Sequence, residues 1–535
     1  MGFSPTDCIL LGLAALIVVV FSAAFSTRRG ILDIADRLAA RPLVTMLMLA
    51  LLPIGLRLAL LGHHPVPIPR VADDFSYLLL GDTLAHFRLA NPMHPMRRFF
   101  EAVFVLQEPS YASIFPLGQG IALAFGQLVF HQPWAGVLLS DGLLAALCYW
   151  MLRAWVDARW ALLGGILAAI EFGPLSSWMN TYWGGAVSGI AGCLVFGALP
   201  RLKSQPLIPV ALVLGLGLGL QLLTRPFEFV IVLLAVVLYV IPARAMLVAA
   251  VAMLPAAALL VAQNKQVTGS WLTLPYQLSR YQYGVPATFT FQPNPVPHRR
   301  LTPEQQLDYD AQIVVHGNTD SVGAWFARLI TRIRFYRFFF LAPLWLVIPA
   351  YLLTLREYRL AWVAIVLALL WTAGAFYPYF YPHYIAAATC LFLLVTVKSL
   401  AVFARWRPAG EYAVALILTL CLAHFVYWYG IEFAGTHVES DWITLNFGDP
   451  DGRLAISRQL KASPGNQLVF VHFSQAHGPQ EWIHNAADID RSRVVWAIDR
   501  GSEEDALLRK YYPDRTTWLL EADARPPTLR PWNGR

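Results

Sequence analysis

Charge is scarce in this chain. Only 14% of its 535 residues are Asp, Glu, Lys or Arg, whereas 57% are apolar, and a soluble domain of that size would leave far more apolar surface than it could bury. Cysteine is scarcer still. The five residues Cys8, Cys148, Cys193, Cys390 and Cys421 all fall inside apolar runs, so neither an outer disulfide framework nor a cysteine metal site is expected, and they read as packing residues. No fixed-period repeat and no low-complexity tract is present; Pro293 to Pro303 comes nearest and reads as a loop. The formal net charge of +7 is modest and sits largely in short arginine-bearing loops, which suits anionic lipid headgroups and gives no support to nucleic acid as a partner.

What the chain has instead is a succession of apolar runs between Thr6 and Gly430, each of roughly 15–20 residues and close to the length needed to cross a hydrocarbon core of about 30 Å. The expected fold is therefore an α-helical polytopic membrane protein. Cys8 to Phe25 lacks a basic leader and is followed by Arg28 and Arg29, so it reads as a retained anchor and not a cleaved signal. Placing the arginine-bearing short loops on one side gives spans at 8–25, 43–61, 135–152, 160–175, 184–199, 207–223, 227–241, 245–262, 337–354, 360–376, 384–400 and 411–430, about 12 in all at the usual boundary precision. Ile114 to Phe130, interrupted by Pro116, Gly118 and Gly120, then reads as a re-entrant or interfacial helix.

On this map residues 1–430 form the transmembrane domain, with outer loops 62–134 and 263–336, and both termini lie outside. The tail, 431–535, changes in kind. Gln467 to Phe473, Val494 to Asp499 and Thr516 to Glu521 are β-rich, while Glu503 to Tyr511 has helical spacing, so a small extracytoplasmic α/β domain is expected. Within it, Glu481 to Asn485 with Asp488 and Asp490 reads either as a glycan-facing surface or as a solvated loop joining two strands.

Polar segments thus converge on the outer face, and there the run Ala72-Asp73-Asp74-Phe75-Ser76-Tyr77 follows an apolar helix directly. Phe115-Pro116-Leu117-Gly118-Gln119-Gly120 and, late in the chain, Tyr381-Pro382-His383-Tyr384 occupy outer helix ends in the same order. These patches resemble the GT-C superfamily of membrane glycosyltransferases, in particular the branch of protein O-mannosyltransferases and lipid A aminoarabinose transferases. The resemblance covers residues 43 to 400 in layout and is specific only in the short patches. Two departures stand out: His383 occupies the place of an arginine, and Asn180 or Trp183 lies where relatives carry a second aspartate.

The resemblance implies a GT-C-like fold and a transferase that moves a sugar from a polyprenyl-phosphate donor to a hydroxyl of a glycan, lipid or protein acceptor, with inversion. It also implies a bacterial inner-membrane location with the site on the periplasmic, extracytoplasmic side. Two alternatives stand beside it: an oligosaccharide ligase or polymerase using polyprenyl diphosphate, and a lipid or glycan transporter without enzymatic activity. A transporter would place charges near the midplane and show paired half-chain symmetry, and the sequence shows neither.

An acceptor hydroxyl must lose a proton as it attacks, and a carboxylate in hydrogen-bond reach takes it. Asp73 is the expected base, although an aspartate before a helical run also reads as its N-cap. Asp74 is its expected companion, and the pair could hold a divalent cation, Mg or Mn. Glu171, near the outer end of the fourth span, is read either as the second acidic group or as a residue reaching for the interface. A departing phosphate calls for arginine forks; the candidates are Arg225 in a very short outer turn, Arg280, and Arg332, Arg334 and Arg337, the last three equally readable as headgroup ligands. Tyr77, His94, His383 and Tyr384 complete the expected substrate-binding set, while the dense outer aromatics, among them Trp183, Tyr276, Tyr377, Tyr379 and Tyr381, read mostly as an interfacial belt.

Overall fold

A computed structural model describes residues 28–205, 207–318, 320–435, 452–474, 477–478 and 480–533, together with Ile9 and Gly12. The span expected at 8–25, with Cys8, otherwise lies outside the described residues. Six described helices are long and apolar enough to cross a membrane: Pro42–Ala59, Pro133–Leu152, Ala186–Ser204, Ala243–Thr268, Pro382–Ala404 and Ala409–Phe433. Four shorter apolar helices, Leu117–Phe130, Ile208–Thr224, Pro226–Tyr239 and Tyr358–Gly374, accompany them. Pro42, Pro133 and Pro226 each open a helix, where the missing N–H costs nothing and the fixed φ is already helical.

The segment expected to span at 337–354 is not one α-helix. It is a chain of three 3-10 helices, Ile333–Phe339, Ala342–Leu346 and Ile348–Thr354. Pro343 and Pro349 each remove a donor and clash with the carbonyl one turn back, so the ladder has to restart. Leu117–Phe130 has 14 residues, which at 1.5 Å per residue is about 21 Å, short of a full crossing.

Small residues set the helix seams, as expected where helices cannot rely on a hydrophobic drive between them. A Cβ on Gly192 would meet the carbonyl oxygen of Ala387 at 1.8 Å, and one on Gly215 that of Ala249 at 2.3 Å. The first contact presses Ala186–Ser204 against the turns that carry His383 and Tyr384.

The tail holds a four-stranded sheet in the order Val494–Ile498, Gln467–His472, Thr516–Glu521, Thr528–Pro531, the first three parallel and the last antiparallel. Its core continues into the first outer loop: Phe99, Phe100, Val105 and Tyr111 pack in one cluster with Phe470, Trp482 and Trp496. Residues 481–485 do lie in the connection between the strands Gln467–His472 and Val494–Ile498, but it is not a solvated loop throughout: Glu481, Trp482 and Ile483 are buried and pack against the segment 99–111.

Candidate active site

Five consecutive residues at the start of the helix Ala72–Ala85 reach different neighbours, because successive helical side chains turn by about 100°. Asp73 and Tyr77, one turn apart and so on one face, both line a cavity of about 480 Å³. Asp74 points elsewhere: its Oδ1 accepts the backbone N–H of Tyr182 at 2.8 Å and its Oδ2 that of Arg70 at 3.1 Å and of Val71 at 3.5 Å. Ser76 donates its hydroxyl to the Phe104 carbonyl at 2.7 Å. The Tyr77 ring stacks on Phe115 at 4.1 Å and 7°. Helix capping thus falls to Asp74 at the third helical position and not to Asp73, which leaves the Asp73 carboxylate free of any described side-chain hydrogen bond.

Asp73 is only partly exposed, and it lines the cavity. Burial, with the nearby charges of Asp74 and Asp308, pushes its carboxyl up to about 7 against the pull of Arg225. Burial also raises Asp74, against the three backbone hydrogen bonds that favour its charged form, and lifts the Tyr77 phenol to about 12.

Arg225 stands between the helices Ile208–Thr224 and Pro226–Tyr239 and lines the same cavity. Its guanidinium lies 4.9 Å from the ring centre of Tyr384, and no described carboxylate is within ion-pair distance. Its position depends on Gly118, where a Cβ would fall 2.1 Å from Thr224 Oγ1. Arg280 also lines the cavity, and two of its N–H donors bond the carbonyls of Pro286 at 3.0 Å and Ala287 at 2.8 Å, so it also holds that loop. His383 and Tyr384 complete the expected residues found here, with His383 edge-on to Trp183 at 4.6 Å.

The other expected residues are placed outside the cavity lining. Glu171 ends the buried face of Ala158–Glu171. His94 reaches the tail, where its Nε2 lies 3.0 Å from Asp490 and 3.2 Å from the Tyr512 hydroxyl. Arg332 donates to the carbonyls of Gly374, Tyr377 and Pro378, fixing the turn before Tyr379. Arg334 is exposed beside Phe335, and Arg337 lies in the 3-10 segment. Asn180 is fully buried, accepting Arg57 Nε at 2.7 Å and donating to the carbonyls of Pro174 and Ser176. It serves the frame of the site, while Trp183 is the residue of that stretch that lines the cavity.

Sequence reasoning passed over Asp308, Gln312 and Glu228, which all line the cavity. Asp308 and Gln312 lie one turn apart on Pro303–His316, and burial pushes the Asp308 carboxyl up to about 6. Their i, i+4 spacing in a polar helix of the second outer loop was the available signal. Asp73 and Asp74 do not converge, since both Asp74 oxygens are taken by backbone amides. Among the described residues no group of three or more metal-ligating side chains assembles.

The class these features define is an integral membrane protein with a largely apolar cavity that holds a few charged side chains, walled by residues of 62–134 and 263–336 and by the ends of apolar helices. No protein-family model and no curated protein matches the chain. Among solved structures, the fold is similar to ArnT from Cupriavidus metallidurans, described bound to undecaprenyl phosphate, with 13% identity, a TM-score of 0.48, and coverage of 92% of this chain and 93% of that one. It is also similar to the oligosaccharyltransferase AglB from Archaeoglobus fulgidus, described in complex with an inhibitory peptide and a dolichol-phosphate, with 13% identity, a TM-score of 0.44, and coverage of 90% and 69%. At this identity no residue role is transferred from either.

Proposed function

We propose that this chain is a membrane glycosyltransferase that moves a sugar from a polyprenyl-phosphate donor to an acceptor hydroxyl on a glycan, lipid or protein, at the periplasmic face of a bacterial inner membrane. The observation that carries the reading is that Asp73 and Arg225 line one cavity, with no described residue in ion-pair distance of either. The cavity volume of about 480 Å³ falls within the range of small-molecule sites. Its lining combines Ile231 and Leu370, on apolar helices, with Gln277, Asp308 and Gln312, from residues 263–336. A lipid-linked donor and a water-borne acceptor can therefore meet there.

In this mechanism Asp73 accepts the proton of the acceptor hydroxyl as its oxygen attacks the anomeric carbon. The bond from that carbon to the phosphate oxygen breaks on the opposite face, which inverts the configuration. Charge develops on the departing phosphate, and a preorganised guanidinium aimed at developing charge is the most effective kind of partner; Arg225 has that role. A carboxylate with a pKa near the working pH combines the right protonation state with adequate basicity, which suits Asp73. The Tyr77 phenol keeps its proton at neutral pH and serves as a donor on the same face.

The test is sugar transfer from a labelled pool of polyprenyl-phosphate sugars in membranes holding wild-type protein or Asp73→Asn at matched expression. Transfer by wild type that is lost in Asp73→Asn supports the reading. Consumption of no donor by correctly folded wild type contradicts it.

A further inference from the structure

We infer that the C-terminal tail is a working part of the site: Arg453, acting through Phe75, positions the first turn of the helix Ala72–Ala85 and so sets Asp73 in the cavity. This rests on the function proposed above for Asp73. It adds a positioning residue from a segment 378 residues away in sequence.

Phe75 is buried and does not face the cavity; it points to the tail. The Arg453 guanidinium lies 4.6 Å from its ring centre and 4.6 Å from that of Trp482, so the cation is held between two aromatic faces. The His484 ring packs on Phe75 at 4.7 Å, and Arg453 also donates to the carbonyl of Glu481. Arg453 is 5% exposed and Trp482 fully buried; a cation desolvated in this way is held over aromatic rings more firmly than an exposed one. At the other end of the same helix, the N–H of Ala487 donates to Asp82 Oδ2 at 2.7 Å. Between these two points the Tyr111 hydroxyl donates to the Asn485 carbonyl at 3.0 Å, and the Val103 N–H to Glu481 Oε2 at 3.2 Å. Residues 481–487 therefore fasten both ends of the helix.

The opposite side of the helix is packed against Leu117–Phe130, where a Cβ on Gly81 would meet Leu123 at 2.7 Å. The helix sits in a vice whose outer jaw is the tail. Residues i and i+2 of a helix stand about 200° apart around its axis, so Phe75 lies nearly opposite Asp73. Loosening the contact on Phe75 lets the first turn roll or withdraw and moves the carboxylate by an ångström or more, a displacement that costs about 100-fold in rate.

The experiment uses full-length protein in lipid nanodiscs, comparing wild type, Arg453→Ala, Arg453→Gln and Arg453→Lys. Three quantities are read: kcat for sugar transfer, binding of polyprenyl phosphate as the probe, and amide hydrogen exchange over residues 72–77 and 117–130. The expected result is a kcat lowered about 10- to 100-fold in Arg453→Ala and Arg453→Gln, partly restored in Arg453→Lys, with polyprenyl-phosphate binding kept. Exchange is expected to rise over 72–77 and to stay unchanged over 117–130. Wild-type kcat in both neutral variants overturns the inference and leaves the proposed function standing. Equal loss of transfer and lipid binding, or faster exchange over both segments, overturns it by making the role one of general folding. If wild type transfers no sugar, the proposed function fails by itself, and unchanged exchange over 72–77 still refutes the brace.

Discussion

The Asp74 carboxylate accepts the backbone N–H of Tyr182 at 2.8 Å while its neighbour Asp73 faces the cavity without a described side-chain partner. The two halves of the acidic pair therefore stand in different surroundings, one holding the frame and the other facing the cavity. Asp74→Asn replaces charge-assisted acceptors with a neutral amide, one of whose ends is the wrong polarity for a backbone donor, and should cost about 1–3 kcal/mol of stability. Asp73→Asn removes a buried charge and should leave the melting temperature unchanged or raised while abolishing transfer. Thermal unfolding of the two variants in the same detergent checks this; equal destabilisation by both would contradict it.

Arg225 is the expected phosphate ligand, and its flat fork is not matched by a point charge. Arg225→Lys should retain donor binding in part, and Arg225→Ala should lower kcat by about 100- to 1000-fold, the scale seen when one preorganised donor to developing charge is removed. Steady-state transfer kinetics over a donor series decides it. A change in KM alone would reduce Arg225 to a docking residue.

Gly192 is where the frame tolerates least. The virtual Cβ at 1.8 Å from the Ala387 carbonyl cannot be relieved by a flexible side chain, so Gly192→Ala must move the backbone just below His383 and Tyr384. Overpacking of this kind costs typically about 1–3 kcal/mol. Gly269→Ala meets no atom within 4 Å but takes a left-handed φ of +79°, so its strain is local to a helix end. Melting curves should show the larger loss for Gly192→Ala, accompanied by lost transfer; for Gly269→Ala transfer should persist.

Much of the frame was legible because membrane helices announce themselves: an unbroken apolar run has few ways to fold in lipid, and the strands of the tail carry β-branched residues at strand spacing. The run Asp73 to Tyr77 stood out as a candidate because two acids close after an apolar helix are rare in so apolar a chain, although that pattern does not say that Asp74 and Tyr77 are buried. What was not legible was mostly long-range. The i, i+4 spacing puts Asp308 and Gln312 on one face, but no local pattern says what that face meets, that Arg453 lies on Phe75, or that Glu481, Trp482 and Ile483 are buried, because each depends on where a distant segment docks. The segment 337–354 failed for the opposite reason: its composition is apolar enough, but Pro343 and Pro349 six residues apart break the helix that composition suggests.

The raised carboxyl of Asp73 has a sign for stability as well as rate. The folded state favours its protonated form, so this group's contribution to stability is complete below its ordinary value of 3.8 and is lost as pH rises through about 7. Asp73→Asn should flatten that part of the stability profile between those two values.

The most direct test is the pH dependence of kcat/KM for sugar transfer, in wild type and in Asp308→Asn. The base must be ionised to act, so the account predicts a rate that rises with pH and levels off above an apparent pKa near 7. Removing the Asp308 charge, one of the groups that raise Asp73, should move that limb to lower pH. A profile that is flat from about pH 5.5 to 8.5, or a limb that stays in place in Asp308→Asn, would contradict Asp73 as the base in this cavity.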